Sequence, residues 1–190
     1  MSQGEPVVPQ HSGWFEMARR IDSPNFDERP DGVRASLIVV HAISLPPSQF
    51  GSDDVERLFT NALDSKRHPY FEQISDLRVS AHFFIRRNGE LIQFVSCSKR
   101  AWHAGLSCWE GEPRCNDFSL GIELEGCDEY PFEDTQYVRL IELLRMLCTS
   151  YPIRSIVGHC DIAPGRKTDP GPFFDWQRLA SLGALPGILG

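Results

Sequence analysis

Residues 153–172, IRSIVGHCDIAPGRKTDPGP, contain a predicted strand, a predicted loop and several reactive side chains. The apolar stretch 153–157 predicts a β-strand that ends at His159. Residues 163–172 are rich in proline, glycine and lysine, which predicts a loop. Asp169 lies in that loop, so the end of the strand and the loop after it are expected to carry polar groups at one edge of a sheet.

Other stretches supply partner strands for this segment. Residues 37–40 are apolar without alternation, which is typical of a strand covered on both faces, and His41 stands where the strand is expected to stop. Stretches 79–85 and 91–95 flank a turn that contains an Asn-Gly pair, which predicts an antiparallel hairpin. Residues 119–124 are a further candidate strand.

Helices are predicted between these strands. Apolar residues recur at helical spacing over residues 53–63 and 134–151, and residues 174–182 are expected to form a closing helix. Strands and helices intermix without regular alternation, so the predicted class is α/β, with a central mixed β-sheet flanked by helices. The apolar face predicted for the helix at 134–151 consists of Val138, Ile141, Leu144, Leu147 and Cys148.

The N-terminal part is expected to be less regular. Residues 1–11 are polar and predict a flexible arm, and Ser12 is a candidate N-cap of a short helix through Arg20. Residues 23–32 are dense in turn formers and predict an ordered loop. With 190 residues, 41% of them hydrophobic, residues 12–190 are expected to form one domain.

Composition limits the partners and the location. A formal charge of −7 argues against nucleic acid, and no apolar run approaches the roughly 20 residues of a membrane span. The first ten residues lack the pattern of an export signal. Six cysteines without a C-x-x-C pair indicate reduced thiols. We therefore expect a cytoplasmic protein, with no membrane association and no obligate protein partner.

Two histidines and an aspartate could hold a metal. His41 and His159 end predicted strands, and Asp169 lies in the loop after the second. Two imidazoles and one carboxylate can bind Zn²⁺ and leave its fourth position to water. Spacing alone leaves His82 and His103 open as alternative ligands.

Two charged side chains are candidates for catalysis. Glu123 and Glu125 share one face of the predicted strand, and a carboxylate near the metal could act as a general base. Lys167 stands two residues before Asp169 and could reach an oxyanion formed from an amide. The alternatives are a solvated glutamate at a strand end and a solvated loop lysine.

Five segments, in this order, resemble a known family: 37–41, LIVVH; 79–85, VSAHFFI; 101–105, AWHAG; 116–126, NDFSLGIELEG; and 158–172, GHCDIAPGRKTDPGP. The chain is similar to the N-acetylmuramoyl-L-alanine amidases of the type-2 amidase and peptidoglycan-recognition fold. Within that family it resembles the cytoplasmic enzymes that act on 1,6-anhydromuropeptides.

The resemblance implies a role for each candidate. It implies one Zn²⁺ per chain, held by His41, His159 and Asp169, with Glu123 as general base and Lys167 at the oxyanion. It also implies contacts from Arg78 and Arg114 to carboxylates of a stem peptide, and a cleft lined by Trp102 and His103. Ala42 departs from the asparagine that relatives often carry after the first ligand, which puts a hydrogen bond beside that ligand in doubt.

The implied reaction is hydrolysis of the amide between the lactyl group of 1,6-anhydro-N-acetylmuramic acid and L-alanine. The substrate would be a small muropeptide, and the step would belong to peptidoglycan recycling, whose failure could raise muropeptides that induce β-lactamase. Two alternatives stand beside it: an amidase of endolysin or secreted type that acts on intact murein, and a non-catalytic module that binds peptidoglycan.

Overall fold

The structure, a computed structural model, describes residues 13–180. The strands are β1 (Arg19–Arg20), β2 (Phe26–Glu28), β3 (Leu37–Ile43), β4 (Phe83–Ile85), β5 (Leu91–Gln93), β6 (Lys99–Ala101), β7 (Cys108–Trp109), β8 (Glu112–Pro113), β9 (Ser119–Glu125) and β10 (Ser155–Gly158). The α-helices are α1 (Asp54–Phe59), α2 (Pro69–Ile74), α3 (Asp134–Ser150), α4 (His159–Ile162) and α5 (Trp176–Ala180).

The central sheet has six strands in the order β1-β5-β4-β9-β3-β10. Strands β4 and β5 pair antiparallel, and the other neighbours pair parallel. The predicted mixed sheet and the predicted hairpin are therefore confirmed. In the register of the parallel strands, Val40 of β3 lies beside Gly158 of β10, and His41 lies beside Glu123 of β9.

Both faces of β3 are covered, as its unbroken apolar sequence predicts. Ile38 and Val40 belong to a core that includes the leucines of α3. Leu37 and Val39 belong to a cluster on the other face, together with Ala104. A strand buried on both sides is held rigidly, and the side chains at its end share that rigidity.

The predicted end of the first strand is wrong. Strand β3 continues through Ile43, so His41 is inside it and keeps the pairing of its neighbours. At the other strand the prediction is closer, because β10 ends at Gly158 and His159 opens α4. One imidazole is thus carried by a strand and the other by the first residue of a short helix.

The buried face of α3 differs from the predicted one. Leu144 and Leu147 are buried as expected, but Val138 is 56% exposed, and Ile141 and Cys148 are only partly buried. The prediction was wrong because α3 is apolar over a wide arc, and the sequence alone does not show which stripe meets the sheet. The buried residues of α3 are Gln136, Tyr137, Leu140, Leu143, Leu144 and Leu147.

The N-terminal predictions are wrong in two places. The described part of the predicted helix through Arg20 is instead a turn followed by β1, which pairs with β5. The loop predicted at 23–32 contains β2, which pairs antiparallel with β6. Strands of two or three residues form only because a neighbouring strand pairs with them, and they are too short to show a sequence pattern of their own. The predicted arm and Ser12 lie outside the described residues, so the division into arm and domain stays a prediction.

Helix boundaries also shift, and one helix was missed. The helix predicted at 53–63 is Asp54–Phe59, and the closing helix begins at Trp176. Helix α2 was not predicted, although Pro69 at its first position is a recognised start signal. Within residues 13–180, no helix has the length and hydropathy that would let it cross a bilayer.

Arg29 fastens the start of β9 to the loop before β3. Its guanidinium donates to the carbonyl oxygens of Asn116, Asp117 and Ser119 at 3.2, 2.9 and 2.8 Å. These carbonyl oxygens have little access to water, and the guanidinium of Arg29 supplies the hydrogen bonds that they would otherwise lack. The strand that carries Glu123 begins at this anchor.

The packing of α3 gives a stability test. Replacing Leu144, which is fully buried, with alanine is expected to lower the free energy of unfolding by roughly 2–5 kcal/mol because it leaves a cavity. Val138→Ala on the same helix is the matched control, with an expected change within about 0.5 kcal/mol. Urea unfolding of both variants measures this. A larger loss in Val138→Ala would contradict the observed face.

Candidate active site

The register of three parallel strands brings two imidazoles and a carboxylate together. Paired residues on parallel neighbours point to the same face, so His41 and Glu123 face the same side. His159 follows directly on β10, which lies on the other side of β3. Asp169 is returned to this edge by its loop, where the Cys160 amide donates to the Asp169 carbonyl at 2.9 Å.

Three ligand atoms converge. The Nδ1 atoms of His41 and His159 are 2.9 Å apart, and Oδ2 of Asp169 lies 3.1 and 3.0 Å from them. Both imidazoles are buried and the carboxylate is mostly buried. Tetrahedral ligands at bond lengths near 2.0 Å are about 3.3 Å apart, so this triangle is within a few tenths of an ångström of a zinc site.

The protonation states suit a cation. Burial lowers the pKa of His41 to about 4, although the hydrogen bond to Asp169 opposes this. Burial alone would raise the pKa of Asp169, but its close contacts with the imidazoles of His159 and His41 hold it far below its ordinary value. At neutral pH the group therefore contains a neutral imidazole and an ionised carboxylate, which are the forms that bind metal.

The outer ring nitrogens also have partners. Nε2 of His159 donates to the carbonyl of Ala104 at 3.2 Å, which directs the Nδ1 lone pair of His159 toward the ligand triangle. Nε2 of His41 lies 2.9 Å from Nδ1 of His103. Ligating histidines are commonly oriented by such contacts on the far side of the ring.

Glu123 stands beside the three ligands. It is 8% exposed, and its Oε2 atom has no hydrogen-bond partner among the described residues. Burial and the charge of Asp169 raise the pKa of Glu123 well above its ordinary value, and Lys167 opposes them. A carboxyl group whose pKa is raised in this way is better suited to take up and release a proton during a reaction than an ordinary exposed carboxylate.

Two other candidates, His82 and Glu125, have their hydrogen-bond partners within the fold. His82 accepts from the Gly121 amide at Nδ1, and its Nε2 lies 3.1 Å from the Lys99 carbonyl, so both nitrogens are used within the fold. Glu125 accepts hydrogen bonds from the backbone amides of Gly51 and Arg87, and it does not line the cleft described below. The structure brings together His41, His159, Asp169 and Glu123 instead.

A cleft of about 550 Å³ lies over this group. Lys167 and Thr168 are exposed on one side of it, and Trp102 and His103 also line it. Trp102 is held by a bond from its Nε1 to Asp27 at 3.2 Å. Much of the remaining lining is apolar: Leu58, Phe59, Tyr70, Ile74, Leu77 and Val79. Several of these belong to α2, a helix that was not predicted from the sequence, and to the segment after it.

The two predicted arginines lie outside the lining of the cleft. Arg78 is exposed between two lining residues, and its guanidinium donates to the carbonyls of Ser75 and Leu77. The side chain of Arg114 is 69% exposed and pairs with Asp117 at 3.1 Å. Both guanidinium groups are therefore accessible, and their role toward a stem peptide stays a prediction.

Comparisons with known proteins agree with this geometry. Residues 31–172 match the family model described as N-acetylmuramoyl-L-alanine amidase. The 1,6-anhydro-N-acetylmuramyl-L-alanine amidase AmpD of Salmonella typhimurium (strain SL1344) is 54% identical over 175 residues, which are 91% of this chain and 94% of that protein. AmpD of Escherichia coli (strain K12) is also 54% identical, over 90% of this chain and 94% of its own.

Solved structures show the same fold. A crystal structure of a selenomethionine derivative of AmpD superposes with a TM-score of 0.87 at 53% identity, covering 90% of this chain and 97% of its own. The predicted type-2 amidase fold is thereby confirmed. The match covers nearly the whole of both proteins, and the chain belongs to the N-acetylmuramoyl-L-alanine amidase family.

Proposed function

We propose that this protein hydrolyses the amide bond between the lactyl group of 1,6-anhydro-N-acetylmuramic acid and L-alanine in small muropeptides, with zinc as its cofactor. The observation that carries the proposal is the convergence of the ligand atoms of His41, His159 and Asp169 beside Glu123 in one cleft. The sugar and the bond are those in the name of the AmpD relatives.

The ligand triangle supports zinc as the metal. His41 and His159 would bind through Nδ1 and Asp169 through Oδ2, which leaves a fourth position open toward the cleft. Zinc bound there would lower the pKa of a water to about 7 and polarise the scissile carbonyl. The same ligand types accept cobalt or manganese, so the metal must be identified by analysis.

Glu123 acts as the general base and then as the general acid. Its carboxylate accepts a proton from the attacking water as the bond from water oxygen to carbonyl carbon forms. The same carboxyl group then gives that proton to the nitrogen of L-alanine as the carbon–nitrogen bond breaks. One water is consumed, and the lactyl carboxylic acid and a free peptide are released.

Lys167 stabilises the negative charge that develops on the carbonyl oxygen. It lines the cleft two residues from Asp169, and its positive charge already acts on Glu123. An ammonium group held near the developing oxyanion favours the transition state over the neutral amide. Its exposed position also allows it to approach a bound substrate.

The remaining site residues position the substrate. Trp102 and His103 line the cleft, and Arg78 and Arg114 present accessible guanidinium groups that suit the carboxylates of a stem peptide. A related amidase, AmiD of E. coli, 30% identical over 86% of this chain and 66% of its own, with a TM-score of 0.58, was solved with anhydro-N-acetylmuramic acid-L-Ala-D-γ-Glu-L-Lys. Ala42 also lines the cleft, and its methyl side chain cannot form a hydrogen bond with the substrate.

The proposal includes a cytoplasmic location and a role in peptidoglycan recycling. All six cysteines are free thiols in this structure, as is typical of a reducing compartment. Loss of the activity would then raise the muropeptides that induce β-lactamase. A non-catalytic binding module is disfavoured because the ligand set, Glu123 and Lys167 are all present.

Metal removal tests the proposed cofactor. Purified protein is expected to contain one zinc per chain and to release peptide from anhydromuropeptide, and a chelator should abolish both until zinc is returned. The Asp169→Asn variant should lack stoichiometric zinc. Elemental analysis and chromatography of the products measure this. Equal turnover with and without metal would contradict the proposed role of zinc in the reaction.

Glu123→Gln separates catalysis from stability. We expect turnover to fall about 10²–10⁴-fold while zinc is retained, because the amide cannot accept a proton. The raised pKa of Glu123 means that metal-free wild-type protein loses stability as pH rises above the unfolded value of about 4.3. Metal-free Glu123→Gln should therefore melt higher than metal-free wild type, by a margin that grows with pH. A margin that shrinks with pH would contradict a buried, costly carboxylate.

The choice of substrate tests the biological role. Soluble 1,6-anhydromuropeptide and insoluble sacculi, offered at matched concentrations of the amide bond, should be cleaved at very different rates, with the soluble compound strongly preferred. Muropeptides with a reducing sugar end form the control for the anhydro ring. Faster cleavage of sacculi would favour the endolysin or secreted type of amidase.

A further inference from the structure

We propose that His103 is a positioning residue that fixes the tautomer and orientation of His41, so that His41 presents its Nδ1 lone pair to the metal. The inference rests on the proposed function, because it concerns the same metal site. It assigns His103 a task in addition to its place in the lining of the cleft.

A short chain of hydrogen bonds carries the argument. Nε2 of His41 is 2.9 Å from Nδ1 of His103, and Nε2 of His103 is 3.1 Å from the hydroxyl oxygen of Ser119. The two rings meet edge to face, with centroids 5.0 Å apart and an angle of 83° between their planes. Both nitrogens of His103 therefore have protein partners, so a substrate in the cleft would contact the carbon atoms of its ring.

The order of donors in this chain follows from the position of the metal ligands. A lone pair at Nδ1 of His41 requires the proton to be on Nε2. His41 then donates from Nε2 to Nδ1 of His103, which must be unprotonated. The proton of His103 is consequently on Nε2, from which it donates to Ser119. The opposite order would put a proton on Nδ1 of His41, where it would block the metal.

The surroundings hold His103 in this place. A side chain at Gly121 would have its Cβ only 2.7 Å from Nδ1 of His103, so the ring occupies space that only glycine leaves open. The side-chain oxygen of Asn116 accepts from the backbone amides of His103 and Ala104 at 3.2 and 2.8 Å. The ring and the segment that carries it are thus fixed independently of the metal ligands.

The same segment supports both histidine ligands. The side chain of His103 faces Nε2 of His41, and the carbonyl of the next residue, Ala104, accepts from Nε2 of His159. A carbonyl can only accept, so the tautomer of His159 is fixed by the backbone. The partner of His41 is an imidazole, which can take either tautomer, and the hydroxyl of Ser119 can accept from the tautomer that a metal at Nδ1 of His41 requires.

Two substitutions at this position separate shape from hydrogen bonding. His103→Leu removes the acceptor, and the dissociation constant for zinc is expected to rise about 10–100-fold. His103→Asn keeps an oxygen near the position of Nδ1 and should recover most of that loss. Ser119→Ala should weaken zinc binding in the same direction but less. Zinc affinity is measured by competition with a chromophoric chelator, which does not depend on turnover.

The tautomers can be observed directly. In zinc-loaded wild-type protein, ¹⁵N spectra of the histidine side chains should show His103 protonated at Nε2 and His41 protonated at Nε2. Melting of the metal-free variants checks their folding, and the wild-type spectrum decides the question even if His103→Leu does not fold. A proton on Nδ1 of His103, or wild-type zinc affinity in a folded His103→Leu variant, would overturn the inference. A wild-type protein that binds no zinc would instead contradict the proposed function itself.

Discussion

The pairing of three parallel strands, β9, β3 and β10, is the constraint on which the site depends. It sets His41 level with Glu123 and brings the end of β10 beside β3, so that His159 emerges next to His41. Backbone hydrogen bonds fix such a register to a fraction of an ångström, and a slip of one residue would turn the side chains to the opposite face. The apolar cover on both faces of β3 makes that slip costly. The packing of the core therefore determines where the side chains of the candidate active site lie.

Electrostatics at this edge favour a bound cation. Glu123 is buried with an oxygen that has no hydrogen-bond partner among residues 13–180, and the nearby charge of Asp169 adds to the raised pKa of Glu123. Asp169 itself is held ionised by the two imidazoles. A divalent ion would relieve the repulsion between the carboxylates and would use the lone pairs directed at it. The arrangement costs stability without metal, and the sheet and the packing of α3 provide the stability that offsets this cost.

The sequence predicted the parts of the structure whose signals are local. The hairpin around Asn88-Gly89, the strand before His41 and the helix α3 each have their own pattern of residues, and all three are present. Strands β1 and β2 could not be found in this way, because two or three residues form a strand only when a partner lies beside them. The exposed side of α3 was misjudged at Val138 for a related reason, since burial depends on the partner and not on the helix alone.

For the site, spacing alone could not choose His41, His159 and Asp169 over His82 or His103, and the resemblance to a family made that choice. The structure explains why the other two histidines resembled candidate ligands: both contact β9, the strand that carries Glu123. His82 binds the amide of Gly121, and His103 occupies the space above the same glycine. A histidine with this task is partly buried and close to the candidate ligands, as a ligand would be. Only its hydrogen-bond partners distinguish it, and those partners come from residues distant in the chain.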